Sequence, residues 1–153
     1  MPCDPIVGQH AIVSRDTRHT MRTVSAGVLE RDGRILIGRR RADQNHALKW
    51  EFPGGKVEPN ETPRAALVRE LGEELGIEAE CGPELMRYEF GYPGKRPLLL
   101  IFYSVTTWTG KLQNRIFDQI EWIEPHRLRE FDFLEGDELF ISNYLPATEN
   151  GTL

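Results

Sequence analysis

The stretch Gly55-Lys56-Val57-Glu58-Pro59-Asn60-Glu61, running on through Arg69-Glu70-Leu71-Gly72-Glu73-Glu74-Leu75-Gly76-Ile77, decides how the rest of the chain is read. It is a glycine loop feeding a short acidic helix. Thr62 is placed as the cap, its hydroxyl accepting an otherwise unpaired backbone N–H, and Pro63 takes the first helical position, where no N–H is needed. Gly76 suits the left-handed residue that ends a helix. The pattern predicts a helix from about Pro63 to Leu75, with Val68, Leu71 and Leu75 as its core face. Glu70, Glu73 and Glu74, at i, i+3 and i+4, share a different face. Like charges at this spacing destabilise a helix by roughly 0.2–0.5 kcal/mol per pair, and Gly72 in the interior adds about 1 kcal/mol relative to alanine. A hard divalent cation reverses the sign, because carboxylate oxygens are the ligands that Mg²⁺ prefers. Without one, the same residues form a solvated acidic face.

The spacing is also specific: Gly55, five residues, Glu61, seven residues, Arg69-Glu70-Leu71, one residue, Glu73-Glu74, one residue, Gly76-Ile77. In this it resembles the Nudix box at every fixed position. The wider run Trp50-Glu51-Phe52-Pro53-Gly54-Gly55-Lys56-Val57-Glu58 is similar to the MutT-like branch of Nudix hydrolases. The resemblance covers roughly residues 23–145, leaving 1–22 as an N-terminal extension and 146–153 as a C-terminal tail.

Bulk properties agree with one enzyme-sized domain. The 153 residues suffice for a real core, and 39% apolar with 28% charged residues is the composition of an ordinary globular chain. The formal net charge of −5 argues against general binding to nucleic acid or to an anionic membrane, so a phosphorylated substrate needs local cations. The two cysteines, Cys3 and Cys81, lack metal-type spacing, and a single possible pair makes no disulfide framework, which points to a reducing cytoplasm. The sequence shows no membrane-length apolar run and no signal-peptide core.

Taken in order, residues 1–22 read as a further strand or a flexible arm, with Met21 as an alternative start and His10 and His19 as surface residues. Thr23 to Glu30 reads as a core strand, turning at Asp32-Gly33 into Arg34 to Gly38. Ala42 to Leu48 is a polar loop, and Trp50-Glu51-Phe52 a short strand. After the helix come an edge strand over Ile77–Glu80, another over Leu85–Phe90, a turn-rich tip from Gly91 to Pro97, and the strongest strand, Leu98 to Thr107. Gln119 to Ile123 forms a last strand, Pro125 to Glu130 a helical turn, about Asp137 to Tyr144 an amphipathic helix, and the residues after Leu145 a loose tail. Strands on both sides of a central helix imply an α/β fold with a mixed sheet covered on two faces. The resemblance implies the same αβα sandwich.

The resemblance also implies a chemistry. Phosphoanhydrides repel an attacking water, and a divalent metal neutralises phosphate oxygens, acidifies bound water and aligns it. Glu70, Glu73 and Glu74, with the carbonyl of Gly54, are the implied ligands for Mg²⁺, with Mn²⁺ as a substitute. Glu70 is either a ligand or a base. Arg69 orients a carboxylate, Glu70 or Glu61. Glu61 either supports the loop–helix junction or is an exposed charge at the helix start, and Gly55 and Gly76 are structural. Arg40 is implied beside the nucleotide, against the alternative of a solvated basic strand end, and Phe52 either contacts the base or packs in the core. Asp137 falls where relatives read the nucleobase, or else caps a helix. Many relatives carry a further loop glutamate near the position of Ile116. Here Asp118 and Glu121 are the neighbouring acids. The expected activity is hydrolysis of a nucleoside triphosphate, on an oxidised base, cytosine or a purine, to monophosphate and pyrophosphate. Two alternatives are hydrolysis of another nucleoside diphosphate derivative such as ADP-ribose, for which Pro93 lies sixteen residues beyond Ile77, and a non-catalytic ligand sensor. The expected partner is a small nucleotide, with the protein a monomer or homodimer.

Overall fold

Alternation along two strands builds the core on both sides of one sheet. In β7 (Leu98–Val105) Leu100 and Phe102 enter one apolar cluster while Ile101, Tyr103 and Val105 enter the other. In β2 (Arg34–Arg39) Ile35 and Ile37 oppose Leu36 in the same way. A strand buried on both faces must sit between covering layers. The computed structural model describes residues 21–152, with side chains through residue 144.

The main sheet is mixed. Its central path runs β3 (Trp50–Glu51), β2, β1 (Arg22–Arg31), β7, β6 (Glu84–Phe90), with β4 (Gly54–Lys56) on β1 and β9 (Gln119–Ile123) on β2. Among the described strands only the β1–β7 pairing is parallel, from Arg22↔Leu98 to Leu29↔Val105. The other edge of β1 is divided: Val24–Ala26 pair with β4 and Glu30–Arg31 with β2. Between them the Gly27 N–H turns to the Pro53 carbonyl at 2.7 Å. The sheet therefore splays at mid-strand.

Helix α1 (Pro63–Leu75) covers one face with Leu67, Leu71 and Leu75. Helix α2 (Glu135–Thr152) and a 3-10 turn (Pro125–Glu130) cover the other with Phe140, Ile141 and Leu128. A small two-stranded sheet, β5 (Glu78–Glu80) with β8 (Thr107–Thr109), lies beside α1.

Four expectations change. The fully buried stripe of α1 includes Leu67, not Val68, which is half-buried, because the helix is rotated so that Glu74 also turns inward. The strand expected from Leu98 to Thr107 ends at Val105, and Thr107–Thr109 leaves the main sheet to pair with β5. The last helix begins at Glu135, and it continues through Pro146 to Thr152 where a loose tail was expected. Proline removes one backbone donor, but its fixed φ lies in the helical range. The glycine loop contains a strand, β4, because Gly54–Lys56 finds an open edge on β1. The readings of Cys3, His10, His19 and the arm at 1–20 lie outside the described residues.

Replacing Leu71 by alanine removes a side chain with no solvent exposure and is expected to lower unfolding free energy by about 2–5 kcal/mol. Val68→Ala is expected to lower it by no more than about 1 kcal/mol. Urea unfolding of the two variants checks which residue belongs to the core stripe.

Candidate active site

Local signals fix α1. The Thr62 hydroxyl accepts from the Ala65 N–H at 3.0 Å, Pro63 opens the helix, and Gly76, at φ 70°, closes it with its N–H on the Gly72 carbonyl. The final carbonyls are taken up by the following loop: Gln113 N–H reaches Leu75 and Arg115 N–H reaches Glu74. With the leucine stripe pinned to the sheet, Glu70 and Glu74 point toward β4.

The approach is close. A Cβ on Gly55 would lie 2.3 Å from the Glu70 carboxyl carbon, and one on Gly54, at φ 149°, would lie 2.0 Å from the Ser25 carbonyl oxygen. Neither position admits a side chain. Glu74 is buried, and its Oε1 accepts the Gly54 N–H at 3.1 Å. Burial first, then the neighbouring carboxylates of Glu51 and Glu70, push its pKa up to about 9.

Arg69 gathers the acids of the box. Its Nε and Nη2 donate to Glu61 at 2.7 and 3.0 Å, Nη1 donates to Glu70 at 3.1 Å and Glu73 at 3.3 Å, and Nη2 also reaches the Lys56 carbonyl at 3.0 Å. Glu61 additionally accepts the Glu58 N–H. These bonds, Arg69 first, lower the Glu61 carboxyl to about 2. Glu61 thus ties loop to helix. Glu73 is the most exposed of the acidic set, its side chain 60% accessible.

Glu51, on β3, is the acid that the sequence reading passed over. It is half-buried, bonded by both oxygens to Arg40 Nη1 at 3.2–3.3 Å, and raised by burial to about 6 despite that partner. The signal was a glutamate between Trp50 and Phe52, both buried, where strand alternation turns it to the opposite side. The neighbours of Ile116 do not fill this role. Asp118 is bonded to Arg39, with Nε at 2.8 Å, and Glu121 to Gln119. Ile116 itself lines the cavity, and its carbonyl accepts from Arg41.

The splayed sheet opens into a cavity of about 670 Å³, the size of a nucleotide site. Gly54, Gly55, Glu74 and Glu51 form one part of its wall, while Phe52, Phe102, Leu134 and Asp137 form another. Phe52 is almost fully buried, and its ring contacts those of Phe102, Phe133 and Phe140. Phe52 packs in the core, as one of its two expected settings had it, and it also lines the cavity. Arg40 and Pro93 line the mouth, and Arg40 Nε holds the Asn45 carbonyl of the polar loop at 2.7 Å. Asp137 is not a cap. It lies within the first turn of α2, whose start is held by the hydroxyls of Tyr88 and Tyr92 on Gly136. Its carboxyl is buried, raised well above the ordinary carboxylate range by burial and by Glu51, with the Phe52 N–H acting against that.

Among the described residues no three acidic, histidine or cysteine side chains form a finished metal cage, since Arg69 draws Glu70 and Glu73 to itself. The donor chemistry nevertheless fits a hard divalent cation. Glu51 and Glu74 line the cavity, the Glu70 carboxyl stands against Gly55, and Glu74 is raised by burial and then by both of these acids.

Comparison with known proteins agrees with this geometry. Residues 19–144 match the NUDIX domain family. The chain is 40% identical over 114 residues to a CTP pyrophosphohydrolase of Escherichia coli, covering 74% of this chain and 84% of that protein. It is 38% identical over 128 residues to an 8-oxo-dGTP diphosphatase of Haemophilus influenzae, covering 83% and 93%. The solution structure of the E. coli ORF135 protein superposes with a TM-score of 0.75 at 37% identity, covering 82% of this chain and 89% of that one.

Mg²⁺ is expected to raise the melting temperature of the wild-type protein in a concentration-dependent way. Glu74→Gln is expected to abolish that rise, while melting no lower than wild type without metal, since the amide ends the repulsion with Glu51 and Glu70. Thermal melts with and without MgCl₂ test this. An equal rise in both proteins would remove Glu74 from the cation site.

Proposed function

Because the chain belongs to the Nudix family of hydrolases, we propose that it cleaves the α–β anhydride of a nucleoside triphosphate with Mg²⁺ or Mn²⁺, releasing nucleoside monophosphate and pyrophosphate. One observation carries this reading: a single cavity is lined both by the buried carboxyl of Glu74, from the acidic helix, and by the buried carboxyl of Asp137. Water adds across the anhydride. One P–O bond forms, the bridging P–O bond breaks, and the water's proton leaves to a base. The metal, when bound, neutralises phosphate oxygens and acidifies bound water. The Gly54 carbonyl, Glu73 and Glu74 are the donors for it. Glu70 acts as a further donor or as the base, held in place by Arg69. Arg40 steers a phosphate or the sugar at the mouth, and its bond to Glu51 sets the direction of its fork.

Asp137 reads the base. Burial and Glu51 raise this carboxyl well above its usual range, and in its protonated form it presents one donor and one acceptor. That pair matches the N3/N4-amine edge of cytosine and the N7–H/O6 edge of 8-oxoguanine. The N7/O6 edge of unmodified guanine offers two acceptors instead. The CTP and 8-oxo-dGTP named for the two relatives fall on the matching side.

The reading is tested by incubating the protein and Mg²⁺ with CTP, dCTP, 8-oxo-dGTP, GTP and ADP-ribose, and resolving products by ion exchange. Monophosphate and pyrophosphate from the cytidine or 8-oxoguanine nucleotides are expected. Cleavage of ADP-ribose alone would overturn the proposal. For the base contact, Asp137→Asn is expected to keep kcat/KM within about tenfold, because an amide also presents one donor and one acceptor. Asp137→Ala is expected to lose about 10- to 100-fold, the effect of an unmet hydrogen bond. A loss with Asn as large as with Ala would mean that the carboxylate, not the neutral acid, meets the base.

A further inference from the structure

The cavity is acidic inside and basic at its outer end, and the basic end has no assigned role. Its floor there is the start of β1. Arg22 pairs with Leu98 across the parallel ladder, and Val24 pairs with Lys56 across the antiparallel one. Directly paired residues share a face, so Arg22, Val24, Lys56 and Leu98 all look to the same side, the side of the cavity. Arg96 lies two residues before Leu98, at the end of the hairpin tip. All three cations line the cavity, and all three also line a second groove that continues it outward past Met21, Val57, Glu58 and Pro59.

Arg22, Lys56 and Arg96 differ from the other basic residues around this site. Arg39, Arg40, Arg41 and Arg69 each have a carboxylate partner. Among the described residues, none of these three forms an ion pair. Glu58, the one acid in the outer groove, stands 3.8 Å from Arg69. Arg22 carries a stronger mark: its Nε is buried without a hydrogen-bond partner. A buried charged donor left unmet is costly. Native proteins retain such groups where a ligand completes them.

We propose that Arg22, with Lys56 and Arg96, forms an anion subsite for the phosphate or pyrophosphate group distal to the scissile anhydride, built around the Arg22 guanidinium. The proposal rests on the triphosphate reading above and extends it. Ala26 pairs with Gly54 beside the carboxylates, and Arg22 lies four residues back along the same strand. At the rise of a strand this is about 13 Å between Cα atoms, a gap that the arginine side chain narrows toward the site. A nucleotide with its base at Asp137 and its cleaved anhydride over Gly54 and Glu74 would extend its remaining phosphate along β1 toward these cations.

The two products separate this subsite from the rest of the cavity. Cytidine monophosphate fills the base end and inorganic pyrophosphate the distal end. Each is used as an inhibitor of CTP hydrolysis, and Mg-pyrophosphate binding is also measured by calorimetry. Arg22→Ala is expected to raise the pyrophosphate inhibition constant and the KM for CTP about tenfold, the effect of one charge-assisted hydrogen bond. The inhibition constant of cytidine monophosphate stays unchanged. Arg22→Lys restores part of the loss, and Arg34→Ala, remote and paired with Glu124, has no effect. Unchanged melting temperature for Arg22→Ala, which removes an unpartnered buried donor, shows that the variant is folded. Equal weakening of both products would overturn the proposal, as would pyrophosphate binding indifferent to Arg22. If no nucleotide is hydrolysed yet pyrophosphate binding depends on Arg22, the subsite stands and the triphosphate reading fails. If CTP is hydrolysed and pyrophosphate ignores Arg22, the reverse holds.

Discussion

Glu70 can stand over the sheet only because position 55 carries no side chain. The 2.3 Å that a Cβ would leave to its carboxyl carbon is less than any real contact, and the neighbouring Gly54 is pressed equally hard against the backbone of β1. From this approach the rest follows. It lets α1 lie close enough for Glu74 to take the Gly54 N–H, and it brings Glu74 within electrostatic reach of both Glu51 and Glu70 at the wall of the cavity. The same closeness makes the carboxylates repel. Burial in low dielectric sharpens that repulsion, so the helix is arranged against its own stability around the place where a cation belongs.

Arg69 is the device that keeps the arrangement from failing. A lysine would offer one compact charge. The guanidinium instead spreads its donors over Glu61, Glu70, Glu73 and the Lys56 carbonyl at once. It binds the loop to the helix through Glu61 and holds Glu70 against Gly55. The opposing wall repeats the logic with Arg40 and Glu51, where the pair also anchors the polar loop through Asn45. Each arginine thus pays for an acid that the chemistry needs and the fold alone would not keep.

Much of this was legible in sequence because it is local. The cap at Thr62, the proline behind it, the left-handed Gly76 and the acidic face are all set within one helix, and the structure has them where the pattern puts them. The polar loop, the hairpin tip and β9 follow from turn residues and strand runs in the same way. What was not legible depends on partners distant in sequence. Leu67 displaces Val68 from the core because the helix is rotated by its contact with β4. Val105 ends its strand because β5 waits beside α1 to pair with Thr107–Thr109. Glu51 stood without an assigned role inside the short strand read over Trp50-Glu51-Phe52, and only the assembled sheet brings its charge to bear on Glu74 and Asp137. For Asp137 the sequence left base contact and helix cap both open, because a cap is a local feature. Its raised pKa comes from burial and from Glu51, which are not local.

The destabilising choices in this chain are concentrated in one helix and one cavity. A Cβ on mid-helix Gly72 would meet only the Ile77 carbonyl, at 3.5 Å, so no tight packing requires glycine there. Glu70, Glu73 and Glu74 crowd one face. Arg22 buries a donor with nothing to meet it. Against these stand the fully buried Leu67, Leu71 and Leu75, a complete set of caps, and a two-sided apolar core. A fold with that much ordinary stabilisation can carry several unmet charges, provided that they face the same space. Here they do: carboxylates in excess at the centre and cations in excess at the rim line one cavity. Each excess is of the sign that a metal-bound polyphosphate would cancel, and one ligand lying along β1 would cancel both.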